Sequence, residues 1–146
     1  MTIEPVAAGA RTGTSKLMLN TNNLTVATAS GRFVQAANGV PGWSQEKWTR
    51  TIVVPLTTLD ALIARHGMPA FVKIDVEGFE FEVLKGSGRL LSDIRPTLII
   101  EIHPPQLLLS GGSEELLFET LENHHYRRSI IDRNPNSLFT IIATPW

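Results

Sequence analysis

The sequence predicts an α/β domain: an open, mostly parallel sheet with helices on both faces and an antiparallel hairpin at its C-terminal end. Three observations predict it. Two short apolar runs, residues 71–76 and 97–102, alternate with segments of helical spacing, the pattern of parallel α/β sheets. Residues 127–132 and 138–143 are strand-like and flank Arg133-Asn134-Pro135-Asn136-Ser137, which reads as a hairpin turn. The 146 residues suffice for one domain with a real core, expected to span residues 1–146.

The N-terminal half is polar and turn-rich. Residues 3–8 read as a short strand stopped by Gly9. Residues 16–19 and 24–29 read as strands parted by Asn20-Thr21-Asn22-Asn23. Residues 31–47 contain Gly39, Pro41 and Gly42 and read as a long loop, with Trp43 and Trp48 as its aromatic anchors. Residues 50–54 are β-branched and read as a strand ending at Pro55.

The C-terminal half is more regular. Leu59, Leu62, Ile63 and His66 share a helical face, and Thr57 with Asp60 has the form of a capping box. Gly67 is placed to stop that helix. The strand at 70–76 is broken by Glu77-Gly78, and helical spacing resumes over 79–85, where Phe79 aligns with Val83. Residues 90–94 form a short helical piece closed by Arg95-Pro96. Residues 97–102 make the most hydrophobic strand. Ser113 caps a helix with Glu114 and Glu115 in its first turn, ending at Asn123 or His124.

Composition excludes several functions. Lys and Arg total 13 against 14 Asp and Glu, a net charge of -1, which gives no electrostatic case for nucleic acid or an anionic membrane as partner. The absence of cysteine excludes disulfides, thiolate metal sites and a cysteine nucleophile. No apolar run is long enough to span a bilayer, and Met1-Thr2-Ile3-Glu4-Pro5 lacks the basic and apolar regions of a signal peptide, so a cytoplasmic location is expected. No Gly-x-Ser-x-Gly elbow, G-x-G-x-x-G turn or Walker loop is present.

The chemistry should sit outside the carboxyl ends of the parallel strands. Period-two geometry puts Lys73, Asp75 and Glu77 on one side of their strand, and Glu101 and His103 on one side of theirs. If the two strands are neighbours, these groups converge on one crevice. Charge inside apolar strands is unusual and costly without a task or a partner. The structural alternatives are a Lys73–Asp75 pair, Glu77 as an anion near a helix start, and His103 as an exposed loop residue before two prolines. Lys73 is read as a structural partner, and His66 and His124-His125 as helix-end residues. Asp75, Glu77, Glu101 and His103 are also hard donors suited to Mg²⁺ or Mn²⁺, so a divalent-metal-dependent hydrolase is the competing enzyme class.

Longer motifs carry a family resemblance. Thr58-Leu59-Asp60, Val72-Lys73-Ile74-Asp75-Val76-Glu77-Gly78-Phe79-Glu80, Val83-Leu84-Lys85-Gly86, Arg95-Pro96 and Ile100-Glu101-Ile102-His103 together resemble the FkbM-type S-adenosylmethionine-dependent methyltransferases. The match is best over residues 57–103, and Val6-Ala7-Ala8-Gly9 resembles the family's third-strand stretch. The resemblance implies a Rossmann-like methyltransferase sheet, S-adenosylmethionine as cofactor with no resident metal, and methyl transfer to a hydroxyl of a small molecule or glycan. It implies Asp75, Glu77, Glu101 and His103 as catalytic candidates, and Ala8, Gly9 and Asp75 as cofactor-binding ones. His103 or Asp75 would be the base, with Glu77 and Glu101 orienting the acceptor or a bound cation.

The family's first strand with its glycine-rich turn, and its second strand ending in an acidic residue, have no counterpart here. Glu4-Pro5 runs straight into Val6-Ala7-Ala8-Gly9, and Ala10 stands where the family has an acid. The expectation is therefore a methyltransferase domain with its N-terminal strands missing and cofactor binding impaired. Its exposed sheet edge would be covered by a second copy or a partner, and a non-catalytic interaction module is the remaining alternative.

Overall fold

The computed structural model describes residues 1–23, 27–37, 45–133 and 138–146. They form two four-stranded sheets. The first has the order β1-β4-β2-β3, with β1 (Ala7–Ala8), β2 (Gly13–Asn20), β3 (Ala27–Thr28) and β4 (Trp48–Thr57). The second has the order β5-β6-β8-β7, with β5 (Phe71–Ile74), β6 (Thr97–Ile102), β7 (Tyr126–Arg133) and β8 (Phe139–Pro145). The helices are α1 (Gly31–Ala37), α2 (Leu59–His66), α3 (Glu80–Lys85), α4 (Pro104–Leu109) and α5 (Glu114–Asn123).

The predicted sheet was mostly parallel; the observed pairing is mixed. Among the described residues, β1–β4 and β5–β6 pair in parallel, and β2–β3, β2–β4, β6–β8 and β7–β8 are antiparallel. Parallel pairing needs a crossover of a dozen or more residues, usually helical. Between β5 and β6 the chain supplies one, made of α3 and a π-helical turn at Leu90–Ile94. The C-terminal hairpin forms as predicted, with β8 joined to both β6 and β7.

The core belongs to the second sheet. Leu98, Ile100 and Ile102 of β6, Ile141 and Ala143 of β8, and Leu117 and Leu121 of α5 are fully buried together. The alternation in β6, with Thr97, Ile99 and Glu101 only half-buried, is the period-two signature of a strand. Tyr126 is buried with its hydroxyl donating to the Pro96 carbonyl at 3.0 Å, and burial pushes that phenol up to about 12.

Several local expectations are corrected. Residues 31–37 are helical, because Ser30 caps them by accepting from the Phe33 N–H at 3.2 Å and Phe33 and Ala37 bury one face. Trp48 packs edge-on against Phe33 at 5.5 Å. Trp43, residues 24–26 and the turn at 134–137 lie outside the described residues. The strand predicted at 50–54 continues through Pro55, where β1 has not yet joined and a missing N–H is tolerated. Thr58, not Thr57, caps α2, accepting from the Ala61 N–H at 3.1 Å. Asp60 instead accepts the Arg89 and Leu90 N–H groups, each at 2.9 Å, and so starts the π-helical turn. No helix among the described residues is long and apolar enough to cross a membrane.

Candidate active site at the ends of the parallel strands

β5 and β6 run side by side with Ile74 opposite Ile100. One residue further on, Asp75 stands just past the end of β5 and Glu101 within β6, opposite Thr140 of β8, and His103 follows two positions after Glu101. The sheet thus brings the Asp75 and Glu101 carboxylates and the His103 ring to within 4.8 Å of one another. Lys73 closes the row. Its ammonium donates to Asp75 at 2.9 Å and lies 3.9 Å from Glu101, and the hydrogen bond to Asp75 raises its pKa. The lysine is thus a cation already paired with these carboxylates.

Glu77 reaches the same cluster from the turn after β5. Its φ is 51° and that of Gly78 is 94°, so the chain reverses sharply there. The reversal brings Glu77 Oε2 to 3.4 Å from His103 Nε2. Only glycine fits next: a Cβ on Gly78 would lie 2.3 Å from Gln106 Cβ and 2.6 Å from its carbonyl carbon. Burial pushes the Glu77 carboxyl above its ordinary pKa, against the pull of His103.

His103 is not the exposed loop residue considered from sequence. It is buried at 6 % exposure, because Pro104 and Pro105 open α4 rather than a loop, and His103 is that helix's N-cap. Burial works against its charge. Even so, its pKa is raised, because the Glu80 hydrogen bond and the charges of Glu77, Glu80 and Glu101 outweigh desolvation. All four catalytic candidates, Asp75, Glu77, Glu101 and His103, therefore meet at one rim.

The cofactor candidates divide. Ala8 lines a cavity of about 480 Å³ with Glu4, Val6, Leu17, Val54, Val76 and Phe79 among its walls. Gly9 and Asp75 do not line it. Gly9 donates its N–H to the Thr57 carbonyl at 2.9 Å, and its own oxygen lies 2.1 Å from where a Cβ on Gly86 would be. Gly9 therefore serves a close backbone approach. Asp75 stands one residue before Val76, so the cavity and the charged rim share the turn after β5.

One residue escaped the sequence reading. Glu80 is fully buried and hydrogen-bonded to His103. The available signal was its position three and four residues before Val83 and Leu84, which places an acid on the buried face of α3.

An α/β fold with ionisable groups gathered beside a cavity at the carboxyl ends of parallel strands is the arrangement in which open α/β sheets bind ligands. Residues 2–128 match the methyltransferase FkbM domain, and the chain belongs to that family. Its fold is similar to that of the methyltransferase FkbM from Methylobacillus flagellatus KT, with a TM-score of 0.56 and 21% identity. The likeness covers 98% of this chain and 28% of that one, so this chain spans under a third of that protein's length. No curated protein matches it significantly in sequence.

Proposed function

We propose that this chain carries the acceptor side of an S-adenosylmethionine-dependent methyltransferase site, and that it methylates a hydroxyl oxygen of a small molecule or glycan. The observation that carries this reading is the convergence of His103 with Asp75, Glu77 and Glu101 beside an apolar cavity. At about 480 Å³ the cavity falls within the range of small-molecule sites. Val6, Ala8, Val76 and Phe79 offer faces suited to a flat purine. Glu4 is the acid at its wall, but its carboxylate already pairs with Arg65 at 3.3 Å and His66 at 2.5 Å. The residues present thus fit one half of the cofactor, and affinity for residues 1–146 alone is weak.

When bound, the cofactor supplies a methyl group already activated on a sulfonium. The chain's own residues then have two tasks. Asp75, Glu77 and Glu101 accept hydrogen bonds from acceptor hydroxyls and hold one of them in line, which supplies the orientation term. His103 takes the proton of that hydroxyl at Nε2 as general base. The test is transfer of a tritiated methyl group from saturating S-adenosylmethionine to a panel of polyols and glycans. Label recovered as a methyl ether is expected, whereas label on nitrogen or carbon, or none, would overturn the reading. A low-micromolar Kd in calorimetric titration would contradict the weak binding.

A further inference from the structure

The reaction above leaves Glu80 without a task. It is a carboxyl group at 0 % exposure, and buried acids persist where something holds them. Its Oε1 accepts the Gly78 N–H at 2.9 Å and lies 2.8 Å from His103 Nδ1, while Oε2 is buried with no hydrogen-bond partner among the described residues. An ionised carboxylate can only accept, so the hydrogen in the second contact belongs to Nδ1. The other ring nitrogen, Nε2, then faces the rim, 3.4 Å from Glu77 and 3.9 Å from Glu101.

The framework around this contact is closely packed. Gly78 abuts Gln106, with no room for even a methyl group between them. Gln106 belongs to α4, the helix that His103 caps, and Gly78 is bonded to Glu80. The two partners of the 2.8 Å contact are therefore clamped together through a second, independent contact.

We propose that Glu80 is a positioning residue: by holding Nδ1–H it fixes the ring plane and tautomer of His103, so that Nε2 is the nitrogen presented to the acceptor. The role of Nε2 rests on the reading of His103 as base given above; the tautomer itself does not. A buried carboxylate behind a histidine also makes the ring a stronger proton acceptor, as outer-shell carboxylates do elsewhere. The groups facing the ring are Glu77, Glu80, Glu101 and Asp75, with Lys73 behind the last two.

The test is long-range ¹H–¹⁵N correlation of the imidazole nitrogens in the labelled protein, above the pH at which the ring becomes neutral. His103 is assigned by the signals lost in His103→Gln. The expected result is a proton on Nδ1 and a bare Nε2. Glu80→Gln keeps an oxygen acceptor and should keep that tautomer; Glu80→Leu removes it and should shift the ring toward the Nε2–H form that free histidine prefers. A bare Nδ1 in the wild-type protein overturns the proposal, as does retention of Nδ1–H in folded Glu80→Leu. If the leucine variant does not fold, the wild-type and Glu80→Gln spectra still decide. Absence of methyl transfer with the tautomer intact would fault the functional reading and leave this one standing.

Discussion

Replacing Gly78 with alanine tests whether the turn after β5 is the hinge on which the site is built. Gly78 has a φ of 94°, and its Cβ would fall 2.3 Å from Gln106 Cβ. The strained backbone costs about 1–3 kcal/mol. Forcing a methyl group into a filled contact costs about another 1–3 kcal/mol. Together these take a large share of a total stability of about 5–15 kcal/mol. Gly67 provides the control. Its φ is 93°, but a Cβ there meets nothing within 4 Å among the described residues, so Gly67→Ala carries the backbone cost alone. Urea unfolding followed by circular dichroism, with constant m-value, measures both variants. Gly78→Ala is expected to lose about 1–3 kcal/mol more than Gly67→Ala, the cost of the contact with Gln106. Equal losses would refute the clamp between this turn and α4.

Other changes read single contacts. Asp60→Ala removes the acceptor for the Arg89 and Leu90 N–H groups and should cost about 1–2 kcal/mol, seen as a lower Tm. Tyr126 is the chain's only tyrosine, so its phenolate absorbance should rise in one step near pH 12, or on unfolding if that comes first; a step near 10 would contradict its burial. Tyr126→Phe should cost about 1 kcal/mol by unpairing the Pro96 carbonyl. His103 has a folded pKa above its ordinary 6.5, so its ionised form adds stability that is complete below that value and lost as pH rises through the folded pKa. The stability difference between wild type and His103→Gln should therefore shrink as pH rises across that window, and a difference that grows would contradict the sign.

Where burial followed a strict period, the sequence was readable. Strand β6 runs over 97–102 as expected because its alternate side chains face two different environments. The helix capped by Ser113 also forms as read, with Leu116 donating to the Ser113 hydroxyl at 3.2 Å. The convergence of Asp75 and Glu101 was expected on condition that their strands are neighbours, and β5 and β6 do pair. The misses have a common cause, since each depends on contacts distant in sequence. Asp60 looked like a capping-box acid until its partners proved to lie 29 and 30 residues away. Helix α1 needed Trp48 to cover Phe33. An exposed loop was one reading of His103 because two prolines follow it, yet Pro in the first turn starts a helix there. Glu80 was hidden because a charged residue at a helix start reads as solvated until its neighbours are placed.

The proposed function requires that the rim shared by β5 and β6 performs the chemistry. Methyl transfer from S-adenosylmethionine to the best hydroxylated acceptor, compared across His103→Gln, Asp75→Asn and Tyr126→Phe, tests it most directly. The first two variants should lose turnover by about 10²-fold or more, as for a removed general base or orienting group, while Tyr126→Phe keeps it. Wild-type turnover in His103→Gln and Asp75→Asn would contradict the claim.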